Sequence, residues 1–234
     1  MSMDVLLQNL ANSITLGSLY ALIAIGYTMV YGIIRLINFA HADLLMVAAY
    51  IVFYGILVFS LPWWASFAIA IVLTTLLGVT IEKLAYRPLR NAPRISALIS
   101  AIGVSFLLEN VGIVTIGATP KPFPRPSELV WNIHAGGISF LSTTIIIPVV
   151  TVILLIAVTF MVKKTKIGVA MRAVSRDFEA SSLMAVDVNK IISATFAVGS
   201  GLAAVGGILW SLQYPQVDPL MGVFPGLKCF IAAV

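Results

Sequence analysis

The sequence predicts an all-α, polytopic integral membrane helical bundle with six complete spans and a truncated seventh. Three observations predict it. Residues 14–33, 39–60, 62–81, 96–117, 142–162 and 191–212 are each about 20 mostly apolar residues, the length a helix rising ~1.5 Å per residue needs to cross a ~30 Å hydrocarbon core. Of 234 residues, 60% are hydrophobic and 10% charged, against ~25% charged in an average soluble domain. The cations, finally, are gathered in two compact loops, Lys83-Arg87-Arg90-Arg94 and Lys163-Lys164-Lys166-Arg172-Arg176-Lys190.

Those loops set the orientation. Cations flanking spans stay on the cytoplasmic side, so 82–95 and 163–190 are expected inside and 118–141, one span from each, outside. Counting back places the turn at 34–38 inside and the N-terminus outside. The net charge of +5 is thereby read as a topology signal and not as a nucleic-acid surface. No Lys or Arg precedes Arg35, so the first run lacks the positive start of a secretory leader and is read as a retained span. The chain stops in mid-run at Ala232-Ala233-Val234, and a fragment lacking further C-terminal spans is expected. The whole of 1–234 is read as a single transmembrane domain.

Between the first two spans, Arg35-Leu36-Ile37-Asn38-Phe39-Ala40-His41-Ala42-Asp43 groups polar side chains in an apolar setting. Asn38 is placed as the N-cap of a helix starting at Phe39, with His41 and Asp43 in its first turns, where an acid suits the positive end of the dipole. Two readings stay open: a capped turn at the interface, or a broken element whose free N–H groups and His41 face a translocation path. No metal site is expected, because His134 is the only other histidine.

Glu109 is read as the one acid inside a span, beside Asn110. A structural or interfacial acid is favoured there over a proton-coupling one. The outer loop opens Thr119-Pro120-Lys121-Pro122-Phe123-Pro124-Arg125-Pro126, whose alternating prolines predict an extended segment, either a stiff spacer or a docking strand.

The loop 163–190 is expected to fold. Ile167, Met171, Val174 and Phe178 form an apolar stripe at helical spacing, and Asp177 can cap a second short helix through Glu179 and Ala180. In the last complete span, Thr195, Gly199, Ala203 and Gly207 recur every four residues, a small-residue face for close helix packing; Ala24, Thr28 and Gly32 make a shorter version in the first span. Ala24-Ile25-Gly26 and Asp43-x2-Met46 recur as Ala197-Val198-Gly199 and Asp218-x2-Met221, which is read as chance in a biased composition. Cys229, alone in the chain, is a packing residue. The chain holds no Gly-x4-Gly-Lys-Ser/Thr loop, Gly-x-Ser-x-Gly or His-Glu-x-x-His, so no catalytic residue is assigned.

Four stretches carry a family resemblance: Leu36-Ile37-Asn38-Phe39-Ala40-His41-Ala42-Asp43-Leu44; Tyr86-Arg87-Pro88-Leu89-Arg90 with Ala92-Pro93; Ala97-Leu98-Ile99-Ser100-Ala101-Ile102-Gly103; and Met171-Arg172-Ala173 through Asp177, Ala180 and Leu183-Met184. In order and spacing the chain resembles the shorter of the two paired permease subunits of bacterial branched-chain amino acid ABC importers. The resemblance implies a permease for leucine, isoleucine and valine in the bacterial inner membrane. Its implied partners are a second homologous permease, two cytoplasmic ATPases that bind ATP and Mg, a periplasmic substrate-binding protein and membrane lipid; the chain itself would hold no cofactor. Arg172, Asp177, Glu179 and Ala180 would couple to the ATPases, and Asn38 and His41 are the candidate pathway residues. The family usually has glycine where Ala42 and Ala185 stand, so a stiffer turn after His41 and a stiffer coupling bend are expected, and commonly glutamine at Glu109. Alternatives are a self-powered proton-coupled carrier using Glu109, an ABC permease for urea or short amides, and a non-transporting scaffold.

Overall fold

The computed structural model describes residues 3–35, 37–90, 92–135 and 138–233; Leu36, which opens the first quoted motif, and Val234 lie outside the described residues. The helices are α1 (Met3–Ile34), α2 (His41–Leu57), α3 (Trp63–Ile81), α4 (Arg94–Ile116), α5 (Thr143–Lys164), α6 (Lys166–Arg176), α7 (Phe178–Leu183), α8 (Val188–Gln213) and α9 (Val223–Ala233). α3 runs on through a π-helical stretch, Glu82–Tyr86, and a single 3-10 turn, Arg87–Leu89. Among the described residues five helices are long and apolar enough to cross a membrane: α1, α3 with its extension, α4, α5 and α8. The 39–60 run yields a helix of 17 residues, at the short end of what a crossing takes.

α8 is the hub. α1, α2 and α3 pack against it, and 61% of its most apolar window is buried, whereas α5 buries 11% and leaves most of its surface to lipid. Hydrophobicity cannot drive helices together in hydrocarbon, so close backbone approach must. Thr195, Gly199, Ala203 and Gly207 are all buried on α8. Gly199 faces Gly26 and Val30 of α1, and a Cβ at Gly207 would run into the Leu45 carbonyl of α2. On α1 the packed glycine is Gly26. The expected face of Ala24, Thr28 and Gly32 points elsewhere: Thr28 and Gly32 are exposed, and Thr28 donates to its own helix at Ala24 O (2.8 Å).

α1 ends where Arg35 takes a left-handed conformation (φ 52°). The 118–141 loop takes part in two short antiparallel pairs. β1 (Lys121–Pro122) pairs with β4 (Gln216–Val217), Lys121 opposite Val217, and β2 (Asn132–Ala135) pairs with β3 (Ile138–Leu141). The proline-rich stretch is thus stitched to its own chain between α8 and α9. Phe123 is buried and its N–H donates to Pro215 O (3.0 Å), and Arg125 donates to Gln213 O (2.6 Å). Pairing with the α8–α9 connection replaces both the free spacer and the docking strand.

Candidate functional site

The site begins where two short helices start inside the bundle. His41, the first residue of α2, lies against Gly26 and Gly199: a Cβ built on Gly26 would stand 2.5 Å from His41 Nε2 and 3.1 Å from Gly199 O. Gly26 is eight residues above the end of α1, about 12 Å at ~1.5 Å per residue. α2 therefore starts well inside the bundle, after a non-helical climb. The approach to α9 meets it there, since Cβ atoms at Gly222 and Gly226 would collide with the Ala42 carbonyl and methyl group respectively. Ala42 is a buried helical residue facing Gly226, and the turn expected after His41 does not exist.

Asn38 does not cap α2. The N-cap residue is Ala40, which has no capping side chain, and the Asn38 carbonyl accepts from His41 N (3.2 Å). The Asn38 side chain is used at long range instead, its Oδ1 accepting from Tyr86 OH at 2.6 Å with both residues buried. Tyr86 in turn packs on Phe196 of α8, ring centroids 5.5 Å apart. His41 stacks tilted on Tyr27 at 4.5 Å, and its Nε2 is buried without a hydrogen-bond partner.

Asp43 is 2% exposed on α2 and accepts from Ser105 Oγ of α4 at 2.6 Å. It is a far more enclosed acid than Glu109, which is half-buried. Reading Glu109 as the one acid within a span is corrected: Glu82 lies in the crossing helix formed by α3 and its extension, and the bundle also encloses Asp43 on α2. A second enclosed acid, Glu82, is fully buried in the π-helical stretch, where it receives Arg90 and Ser193 Oγ (2.6 Å). Arg90 also donates to Asn189 Oδ1 (2.6 Å). This knot ties the 82–90 loop to the first turns of α8. Glu82 and Arg90 are eight apart and visible in the sequence as opposite charges, but Ser105, Ser193 and Asn189 carry no sequence signal that selects them.

Beyond the knot lies the expected coupling region. Thr165 caps α6 by accepting from Gly168 N (3.1 Å), and α6 then turns back under the bundle on Gly168, Met171 and Val174. A Cβ at Gly168 would strike the Met161 and Val162 carbonyls, so the elbow requires glycine. Met171 and Val174 of the expected stripe are buried; Ile167 and Phe178, at 49% and 43%, remain exposed, because the buried face turns toward Gly168. Arg172 donates to the Val162 carbonyl at the end of α5. Asp177 caps α7 by accepting from Ala180 N (2.9 Å). Glu179 and Ala180 lie exposed on this one-and-a-half-turn helix, which ends in Leu183 and Met184, the most open apolar pair of the region at 86% and 79%.

A separate cleft of about 500 Å³ lies between α2, α3 and α4, lined mainly by aliphatic and tyrosine side chains.

A family model described as "Branched-chain amino acid transport system / permease component" matches residues 9–234. The high-affinity branched-chain amino acid transport system permease protein BraD of Pseudomonas aeruginosa is 40% identical over 239 residues, covering 97% of this chain and 78% of BraD. The corresponding LivH of Escherichia coli K12 gives the same identity and coverage. A probable LivH of Methanocaldococcus jannaschii is 26% identical, covering 96% of this chain and 72% of that protein. No solved structure matches. A helical membrane bundle matched over almost its whole length by transport permeases has a transport role, and the chain belongs to the family of branched-chain amino acid transport system permease components.

Proposed function

We propose that this chain is the translocation subunit of an ATP-driven importer for leucine, isoleucine and valine. The observation that carries the reading is the 40% identity across 97% of the chain to permeases named for high-affinity branched-chain amino acid transport. In this reading it sits in the bacterial inner membrane with its N-terminus outside and loops 82–95 and 163–190 in the cytoplasm. It pairs with a second homologous permease, receives substrate from a periplasmic binding protein, and is driven by two ATPase subunits that bind ATP and Mg.

α7 is the proposed ATPase contact. Its exposed Leu183 and Met184 form an apolar tip beside the carboxylates of Asp177 and Glu179, and apolar tips of this kind seat in grooves of partner proteins. Arg172 holds the α5–α6 elbow that aims α7, and Ala180 completes its first turn. Asn38 and His41 are the proposed pathway residues, because both sit where α2 begins inside the bundle. Thr195, Gly199, Ala203 and Gly207 would let α8 slide as a unit against α1 and α2.

Uptake of labelled leucine by cells carrying the gene with its transporter partners tests the reading. Loss of uptake with vanadate and its survival with a protonophore at preserved ATP is the expected result. Loss with the protonophore alone would replace the importer by a proton-coupled carrier. Transport of urea or acetamide, with none of the three amino acids carried, would reassign the substrate.

A further inference from the structure

The elbow between α5 and α6 gathers cations and no acid. Residues 163–176 hold Lys163, Lys164, Lys166, Arg172 and Arg176, all exposed. Among the described residues none of them enters a salt bridge. The acids that follow belong to α7 and to the start of α8. The Asp177 carboxylate caps α7 by accepting Ala180 N (2.9 Å), Glu179 stands exposed in the first turn of that helix, and Asp187 pairs with Lys190 (3.1 Å). Like charges gathered this closely repel one another, and an anionic partner relieves that repulsion.

These cations stand where the lipid-facing side of α5 ends. Val149, Ile153, Ile156 and Phe160 are exposed at i, i+4, i+7 and i+11, one stripe along the helix, and the next positions on that stripe are Lys163 and Lys164 in the last turn. α6 folds back from there. Arg172 donates to the Val162 carbonyl at the end of α5, which holds the exposed side of α6 against it. Along that side lies a hollow of about 390 Å³, lined by Val169, Arg172, Ala173, Ser175 and Arg176. An apolar stripe therefore runs into a basic hollow at the edge of the bundle.

We infer that the α5–α6 elbow binds the headgroup of an anionic phospholipid. An acyl chain lies along the α5 stripe, and the phosphate is met by Lys163, Lys164 and the Arg176 guanidinium. A guanidinium pairs with phosphate through two parallel hydrogen bonds, and each cation beside an anionic membrane surface strengthens the attraction roughly fivefold. An acidic groove on a partner ATPase would also suit the cations, but charge is divided along this loop. The apolar tip proposed for the ATPase carries the carboxylates of Asp177 and Glu179, whereas the cations stand at α5, where lipid begins. A headgroup shared by α5 and α6 fastens the elbow that aims α7. Assigning the lipid to the cytoplasmic leaflet rests on the proposed orientation; the binding itself does not.

Fluorescence quenching by brominated lipids tests it in the assembled transporter, reconstituted in vesicles with the same lipids in both leaflets. Phe160→Trp places a reporter beside the elbow, whereas Trp63 and Trp64 open α3 and Trp210 lies near the far end of α8, at the opposite end of the bundle. The readout is the quenching that Phe160→Trp adds, compared between brominated phosphatidylglycerol and brominated phosphatidylcholine. The expected result is binding of phosphatidylglycerol about tenfold stronger than of phosphatidylcholine. Lys163→Gln, Lys164→Gln and Arg176→Gln together should bring the ratio close to one, and Lys163→Arg with Lys164→Arg should keep it. Equal quenching by the two lipids in the transporter with its cations intact would overturn the inference, as would a preference that survives the triple substitution. Loss of ATPase subunits from the triple variant with the lipid preference intact would assign the cations to the ATPase contact instead. Neither an inverted orientation nor a failure to carry leucine would change this readout, so the proposed function stands or falls separately.

Discussion

Gly26 of α1 and Gly199 of α8 face each other across the helix crossing, and the His41 ring closes the gap on one side. Each glycine is there because the other backbone is: Gly199 O would lie 3.1 Å from a Cβ on Gly26, and Gly26 O 3.3 Å from a Cβ on Gly199. The start of α2 is thereby wedged between the two long helices. Gly26→Ala should destabilise the protein by about 1–3 kcal/mol, the usual cost of overpacking. Thermal unfolding in detergent would show this, and Gly26→Ala combined with His41→Ala should recover part of the loss, because the ring is the nearest obstacle.

Tyr86→Phe should cost about 1–3 kcal/mol, since it leaves the buried Asn38 oxygen without its donor. Asn38→Ala in the same background should add little, because the two groups serve each other. A double-mutant cycle on detergent stability reads the coupling. Additive losses would show that Asn38 has another role.

Glu82→Ala should destabilise strongly, by about 3 kcal/mol. That is the low end for breaking a buried pair, because the Arg90 side chain keeps 18% exposure. Burial pulls the Arg90 guanidinium below its ordinary pKa while Glu82 pulls it back up; the guanidinium stays charged either way, so removing Glu82 leaves a partly buried cation unpaired. Glu82→Gln, which keeps the shape and one acceptor, should lose less. Limited proteolysis of the 82–90 loop would separate the two variants.

Ala185→Gly should stabilise the link between α7 and α8 by about 1 kcal/mol, because Ala185 sits in the left-handed region at φ 59°, where a Cβ is strained. This strain is the physical reason a glycine fits the bend. Hydrogen exchange across 184–187 should slow in the variant, and faster exchange would show that the strain lies elsewhere.

Asp187 caps α8 by accepting Lys190 N at 3.1 Å, and this backbone bond, with the Lys190 ammonium beside it, holds the carboxyl below the ordinary carboxylate range. A depressed folded pKa means the cap contributes fully above the unfolded value of about 3.9 and is lost as pH falls through the lower folded value. Exchange of the first-turn amides of α8 should therefore rise in strong acid, and Asp187→Ala should abolish the pH step.

What the sequence determined by itself is whatever depends on neighbours along the chain. The long apolar helices were legible because hydrophobicity and length are local. Asp177 was legible as a cap because its partner, Ala180, is three residues away, and the buried α8 face because small residues recur every fourth position. Tertiary structure alone decided which backbone those residues meet. Asn38 looked like a cap, but Tyr86, 48 positions on, claimed its oxygen. Ala24, Thr28 and Gly32 looked like the packing face of α1, but Gly26 took the role because only it lies where α8 crosses. Asp43 is enclosed as an acceptor only through Ser105 of α4, 62 positions away. Charge and hydrogen-bond partners in a membrane bundle are set by which helices cross and at what height, and no local pattern records a crossing.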